Sequence, residues 1–471
     1  MKQLRKNILR IALLLCGLFA LLAGYGAYSI ATYGNRWFAS TANTFVRTQK
    51  KNVIAGDILD RNGVVLATTR DGQRVYAQDA AARKATVHVV GDSGSNVNNG
   101  AESFFSAYLY GFNMSFLERL GCAVKGQARQ GDNVQLTIDS TLASYVASIF
   151  PSGKSGAVVV MNYKNGEVLT QQSFPNFDPQ NITASVKEDA QKPFYNRAVQ
   201  GLYAPGSTFK VVTAESALEN YQDATTMAFY CDGQLQVGAQ VITDAGTDLL
   251  AGKITQHGQL NLLRAFQVSC NNTFAQLALK LGDAKLRKTA ETFGFNDNFL
   301  FRDLVVENSS YPTANRTDRE IAWTGAGQSA LVATPMHMCM IAAGVANGGV
   351  MMEPRMLKEA VAQNGTVRAA FAEKVYRRVM PAQNADLLKE YMRAVVTGGT
   401  GTRAAISGVK VCGKTGSAEL DNQENTNAWF IGFLDEPDAP YAIAIVVEDA
   451  GGGGSVAAPV ARQIFQWLLG K

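Results

Sequence analysis

The chain has 471 residues, 47% of them hydrophobic and 18% charged, with 44 Lys plus Arg against 39 Asp plus Glu. That is globular composition with room for two or three domains, and it excludes a disordered, collagenous or coiled-coil chain. Lys2, Arg5, Lys6 and Arg10 all fall in the first ten residues, so the remainder carries only +1 of the net +5, and no nucleic-acid-binding surface follows. Cys16, Cys122, Cys231, Cys270, Cys339 and Cys412 form no CxxC pair and no cluster with histidine along the chain. Their spacing predicts neither a zinc site nor a disulfide framework, and no metal or other cofactor is expected.

From Ile11 to Ile30 the chain carries no charge, and four cations precede it. About 20 apolar residues suffice to cross a hydrocarbon core as a helix, so residues 11–33 are expected to form a single-pass signal anchor behind a short cytoplasmic segment, 1–10. A signal peptide cut near Gly24-Tyr25-Gly26 is the competing reading. Everything beyond about Tyr33 is then expected on the extracytoplasmic side.

Next, VIAGDILDRNGVVLATT reads as two short strands around Arg61-Asn62-Gly63, opening a small β-rich module over residues 34–130. The alternating run VHVVGD extends it as a strand, with His88 a packed or surface histidine, and residues 91–100 form a loop. A strand over residues 131–139 leading into a helix near Ser140 sets the domain boundary at about residue 131, within ten residues either way. Asn165-Gly166 predicts a hairpin between residues 157–161 and 167–171. A long helical stretch is expected from Ser207 through Gly344, then two closing strands, 429–434 and 441–448, and an amphipathic helix, 457–469. Strands at both ends with helices between them predict an α/β domain whose sheet is completed by its C-terminus.

Three histidines and no GxSxG elbow give little support to a Ser-His-Asp hydrolase. Another base is available. Pro205-Gly206 breaks the chain, Ser207 opens a helix, and Lys210 lies one turn on, where its amine can reach the hydroxyl. The helix dipole favours the developing alkoxide, and a desolvated lysine can give up its proton and act as base. S-x-x-K alone is a weak signal, because Ser407-Gly408-Val409-Lys410 matches it too, yet that copy runs into a strand, where residues three apart face opposite sides. The odds change with Ser269-Cys270-Asn271 between helical segments and Lys414-Thr415-Gly416-Ser417 in a strand before the closing pair. Lys154-Ser155-Gly156 imitates the third element but precedes the nucleophile.

With these three motifs in order the chain resembles the serine penicillin-recognising family. Asn196-Arg197-Ala198, Gly325-Ala326-Gly327-Gln328, Ala333-Thr334-Pro335, Asn347-Gly348-Gly349, Trp429-Phe430 and Gly56-Asp57-Ile58-Leu59-Asp60-Arg61-Asn62-Gly63 make it similar to class B penicillin-binding proteins, above all the smaller penicillin-binding-protein-A-like members. The resemblance implies a transpeptidase fold, an antiparallel sheet sandwiched by helices over residues 131–471, behind a pedestal-like module. It implies a peptidoglycan D,D-transpeptidase that β-lactams acylate. Ser207 would attack the penultimate D-Ala of a stem peptide ending in D-Ala-D-Ala, and Lys210 would take its proton. Ser269 would relay a proton to the leaving amine, Asn271 would hold the peptide amide, and Lys414 would add positive potential. Thr415, Gly416 and Ser417 would bind the terminal carboxylate, and N–H groups of Ser207 and Ser417 would form the oxyanion hole. The family further suggests a multipass membrane glycan polymerase as partner.

A serine β-lactamase shares the motifs, but the E-x-x-L-N segment of its class A deacylation route is absent from the sequence. A D,D-carboxypeptidase differs only in accepting water. A non-catalytic β-lactam sensor would need an output domain larger than ten residues, and a polymerase joined to the transpeptidase would not fit between residues 34 and 130.

Overall fold

The computed structural model describes residues 2–38, 53–248, 251–314, 316–419 and 426–470. Helix α1 (Lys2–Phe38) contains the stretch Gln3–Ile30, whose mean hydropathy of 2.2 and length are enough to cross a membrane. At 1.5 Å per residue it spans about 40 Å, against a hydrocarbon core of about 30 Å.

Strands β1 (Ile58–Leu59) and β2 (Val65–Arg70) flank the expected turn, and β3 (Gln73–Tyr76) closes a second hairpin. Buried Asp60 holds the first turn: its Oδ1 accepts from the N–H of Asn62 (2.8 Å) and of Val64 (2.9 Å). Its Oδ2 accepts from Ser140 Oγ at 2.7 Å. That bond ties the module to the start of α2 (Ser140–Ile149), which follows β4 (Asn133–Leu136).

The expected hairpin follows as β5 (Gly156–Asn162) and β6 (Val168–Phe174). Among the helices that follow, those that build the site and its sheet are α3 (Lys210–Asn220), α4 (Leu262–Val268), α5 (Asn271–Leu281) and α6 (Pro335–Ala346). The hairpin β7 (Leu357–Val361) and β8 (Val367–Ala370), then α7 (Ala382–Gly398), lead to β9 (Val411–Glu419), β10 (Thr426–Leu434), β11 (Tyr441–Val447) and α8 (Ala457–Leu468).

Two sheets organise these elements. A six-stranded sheet in the order β8-β7-β4-β1-β2-β3 draws on strands from both sides of residue 131. The five-stranded sheet β9-β10-β11-β5-β6 is antiparallel throughout and does take its C-terminal strands back beside its first hairpin. Strands β5 and β11 are apolar on both faces because both are covered. Val159, Met161, Ala444 and Val446 pack toward α6, every residue of which is buried. Val158, Val160, Ile443 and Ile445 pack instead with Ala457, Ala461 and Ile464 of α8. The two-residue period of a strand sends alternate side chains to opposite helical layers. This is the expected sandwich.

Two expectations fail. Residues 87–90 form a short helix rather than a strand, because Val87, His88, Val89 and Val90 are all buried, so their apolar run is not one-sided alternation. The stretch from Ser207 to Gly344 is not continuously helical: strands Phe229–Cys231, Gln234–Val237, Gln240–Thr243 and Gly258–Leu260 interrupt it. These strands pair locally in two ribbons, and nothing in the flanking helical periodicity announces them.

Candidate active site

Pro205 and Gly206 end the preceding segment, and residues Gly206–Phe209 form a 3-10 turn whose Thr208 Oγ1 donates to Pro205 O at 2.6 Å. The α-helix begins only at Lys210, so Ser207 sits on the turn that feeds α3 rather than on its first α-helical position. Ser207 is half-buried at the mouth of a cleft, whereas Lys210 is wholly buried beneath it. The turn is pressed against β9, since a Cβ on Gly206 would lie 2.9 Å from Ser417 O. From the other side Gly327, at φ +90°, lets its backbone approach so closely that an added Cβ would stand 1.8 Å from Gly206 O. The approach to the turn is pinned as well. Tyr203 OH and Arg197 Nε both donate to Glu448 Oε1, at 2.6 and 2.7 Å, and Trp429 Nε1 donates to Ala204 O at 3.2 Å.

Lys210 Nζ donates to Ser269 O (2.7 Å) and Asn271 Oδ1 (2.7 Å), with Ser269 Oγ at 3.3 Å. No hydrogen bond joins it to Ser207 among the described residues, so the expected Ser207–Lys210 contact is replaced here by contacts to the second motif. Ser269 reaches this position by ending α4 in the left-handed region, at φ 61°, and Cys270 then caps α5. Across the cleft Lys414 Nζ, wholly buried on β9, donates to the same Ser269 Oγ at 2.8 Å and to Thr415 O at 2.9 Å. Burial lowers the Lys210 amine to about 8, although Cys270 and Asp244 act to raise it. Burial, reinforced by the neighbouring Lys210, puts Lys414 well below the usual lysine value. The Phe274 ring, 5.3 Å from Lys210 Nζ, and the Phe266 ring, 5.7 Å from Lys414 Nζ, are the apolar walls behind that desolvation.

The cleft encloses about 640 Å³, and Ser207, Ser269, Asn271, Thr415, Gly416 and Ser417 all line it. A hydroxyl at its mouth, a buried amine of lowered basicity beneath and hydroxyls along a strand edge can support nucleophilic acyl transfer to serine. Three further residues escaped the sequence reading. Thr400 Oγ1 lies 2.6 Å from Thr415 Oγ1, Arg403 lines the same end of the cleft, and Asp244 Oδ1 accepts from the N–H of Asn271. Each stands outside the motifs and is single in its stretch of sequence, so only the fold assembles them.

The decoys stay apart. Ser407 is exposed in a turn before β9, and Lys154, also exposed, donates to Asp449 O. His88 and His337 are buried, each with a ring nitrogen on a backbone carbonyl, and neither bonds Ser207. Contrary to the expectation that no Cys/His cluster exists, Cys231, Asp244, His257 and Cys270 converge behind the second motif. Separations of 13 residues hid them.

A family model described as the penicillin binding protein transpeptidase domain matches residues 156–466. The chain is 29% identical over 373 residues to peptidoglycan D,D-transpeptidase PbpA of Mycolicibacterium smegmatis, covering 74% of each chain. It is 31% identical over 369 residues to stage V sporulation protein D of Bacillus subtilis, covering 72% of this chain and 53% of that one. Among solved structures, penicillin-binding protein A from M. tuberculosis, as an imipenem acyl-enzyme complex, aligns with a TM-score of 0.78 at 26% identity, over 89% of this chain and 100% of that one. The D,D-transpeptidase domain of a peptidoglycan glycosyltransferase from Eggerthella lenta gives 0.76 at 29% identity, over 89% and 99%.

Proposed function

The chain belongs to the penicillin binding protein transpeptidase family, and we propose from that premise how its residues divide the work of a peptidoglycan D,D-transpeptidase. The substrate is a stem peptide ending in D-Ala-D-Ala, and β-lactams acylate the same serine. Ser207 Oγ attacks the carbonyl carbon of the penultimate D-Ala while its proton passes to Lys210 Nζ. A neutral Lys210 has two N–H groups; Ser269 O and Asn271 Oδ1, both at 2.7 Å, take them and leave the lone pair for Ser207. The N–H groups of Ser207 and Ser417 hold the oxyanion, a contribution of a few kcal/mol per donor. As the C–N bond breaks, the hydroxyl of Ser269 passes its proton to the leaving D-Ala amine and takes up in its place the proton that Lys210 Nζ received from Ser207, which returns Lys210 to the neutral base. The amine of a second stem peptide then attacks the acyl carbon and restores Ser207.

Asn271 orients the peptide amide, and Lys414 supplies positive potential at the Ser269 side of the cleft. Thr415 and Ser417, with Gly416 leaving room between them, receive the terminal carboxylate, and Thr400 and Arg403 stand at the same end. The observation that carries this reading is the convergence of all three motifs on Ser269 Oγ.

The N-terminal apolar helix is consistent with a single-pass anchor. We place it in the bacterial cytoplasmic membrane with residues 1–10 inside, 11–33 across, a pedestal-like module over 34–130 and the transpeptidase domain over 131–471 outside. The sheet that joins the two parts would carry the catalytic cleft at a set height above the membrane. A multipass glycan polymerase contacting the anchor and the module would supply the strands to be cross-linked.

The test is incubation of the full chain in detergent with a fluorescent penicillin, then with a D-Ala-D-Ala stem peptide and an acceptor amine. A covalent adduct at Ser207 and a cross-linked product are expected. An adduct on another residue would overturn the site assignment, and release of D-Ala by water alone would replace transfer with carboxypeptidase action.

A further inference from the structure

Behind the second motif, four side chains from four separate segments point at one another. Cys231 ends the strand Phe229–Cys231, Asp244 follows the strand Gln240–Thr243, His257 precedes the strand Gly258–Leu260, and Cys270 caps α5. Cys231, Asp244 and Cys270 are buried and His257 is partly exposed, and Asp244 and His257 both border the cleft. Asp244 Oδ2 lies 3.0 Å from Cys231 Sγ, 3.5 Å from Cys270 Sγ and 3.4 Å from His257 Nδ1, and Cys231 Sγ lies 3.5 Å from His257 Nδ1. All four atoms fall within 4.8 Å of one another. A tetrahedral zinc with bonds of about 2.3 Å to sulfur and 2.0–2.1 Å to nitrogen or oxygen requires ligand–ligand distances of roughly 3.3–3.8 Å. Of the six pairs, the three at 3.4–3.5 Å lie in that range, the Cys231–Asp244 pair at 3.0 Å needs a few tenths of an ångström more, and the remaining two lie within 4.8 Å and need to close by at most about 1 Å. Two thiols, one imidazole and one carboxylate are also the donor types that zinc selects.

We propose that Cys231, Asp244, His257 and Cys270 bind one Zn²⁺ ion in a closed tetrahedral site that fixes the Ser269-Cys270-Asn271 segment from behind. Binding breaks the two S–H bonds, releases their protons to solvent and forms two Zn–S bonds, with no change of oxidation state. Asp244 serves two ends at once: Oδ2 faces the metal position, while Oδ1 accepts the N–H of Asn271. Cys270 lies between Ser269 and Asn271, and Ser269 holds the left-handed conformation at φ 61°. Anchoring Cys270 therefore fixes both neighbours without either one touching the ion.

The site itself does not rest on the transpeptidase reading, so metal content is measured apart from activity. The full chain, purified in detergent without metal affinity, is loaded with ZnCl₂, freed of excess over a chelating resin and analysed by elemental mass spectrometry. One zinc per chain should remain, and Cys231→Ser or His257→Ala should lower it by at least about tenfold. Cobalt loading of the wild type should give thiolate-to-cobalt charge-transfer absorption and the strong d–d bands of a tetrahedral ion. This arm stands even if the variants fail to fold. A strong chelator should slow acylation by penicillin and expose Cys231 and Cys270 to alkylation, and Zn²⁺ should reverse both. A folded wild type that retains no zinc, prefers another metal ion over zinc or carries a Cys231–Cys270 disulfide would overturn the assignment.

Discussion

Lys210 and Lys414 donate to one oxygen, Ser269 Oγ, at 3.3 and 2.8 Å. As an ammonium Lys210 fills all three acceptors, Ser269 O, Asn271 Oδ1 and Ser269 Oγ; as the neutral base it has two N–H groups and gives up the longest bond, the one to Ser269 Oγ, which Lys414 still holds at 2.8 Å. Two buried ammonium groups this close to a common acceptor oppose each other, and burial lowers both amines. A working base must be neutral. With Lys210 held at about 8, the rate of penicillin acylation should climb roughly tenfold per pH unit below that value and level off above it. Stopped-flow acylation from pH 6 to 10 measures this; a flat profile across pH 8 would show that Lys210 is not the group that takes the proton.

Ser207→Ala should abolish covalent penicillin labelling, a loss of at least about a thousandfold, while circular dichroism stays unchanged. Ser207 is half-buried at the cleft mouth and packs into no core. Ser407→Ala, in the exposed turn that carries the same S-x-x-K spacing, should label like the wild type. Intact-protein mass spectrometry reads both, and persistent labelling of the Ser207 variant would move the nucleophile elsewhere.

Sequence reasoning singled out Ser207, Lys210, Ser269, Asn271 and the Lys414–Ser417 strand because each lies within a short motif on a defined element, and the fold gathers them around one cleft, with Lys210 and Lys414 buried behind its lining. The closing strands and the Asn165-Gly166 hairpin were equally legible, since buried strands and two-residue turns have local signatures. What stayed hidden depends on long-range contact. Asp244 and Arg403 have no motif around them. Glu448 meets Arg197 and Tyr203 from the far end of the chain, and the ribbons between residues 229 and 260 are short pairings inside a helical context. Histidine 257 joined two cysteines only through those ribbons.

Lys210→Arg should acylate within about tenfold of Lys210→Ala, both far below the wild type, because a guanidinium stays protonated in a protein and cannot serve as base. Arginine is also longer than the wholly buried space that Lys210 fills between Ser269, Asn271 and Phe274. Acylation rates together with thermal melting separate the two causes. An arginine variant that keeps most of the rate would assign Lys210 a purely electrostatic role.

Deleting residues 1–33 should give a protein that stays in solution without detergent and reacts with penicillin at the rate of the full chain. The deletion removes the helix stretch Gln3–Ile30, and every residue lining the cleft lies beyond residue 200. Cross-linking in cells should fail when this form replaces the full chain, because placement at the membrane is lost. A folded truncated protein that no longer binds penicillin would show that α1 shapes the site.

Gly327→Ala tests whether the backbone behind the nucleophile sets its position. Gly327 belongs to none of the three motifs, yet its φ of +90° and its contact with the Gly206 carbonyl leave no place for a side chain: the new Cβ would stand 1.8 Å from Gly206 O and 3.1 Å from Phe209 Cβ. Forcing alanine into that conformation costs about 1–3 kcal/mol on its own, and the steric conflict adds to it unless the Gly206–Phe209 turn moves. If the turn yields, Ser207 moves with it, away from Lys210 and Ser417. The expected result is a melting temperature several degrees lower and an acylation rate reduced by about 10²-fold or more, the scale on which a displacement of about 1 Å acts. Because Gly327 contributes no side chain to the cleft, such a loss of rate in the folded protein arises from geometry alone. A variant that melts lower but acylates at the wild-type rate would mean that strand β9, and not Gly327, holds the serine in place.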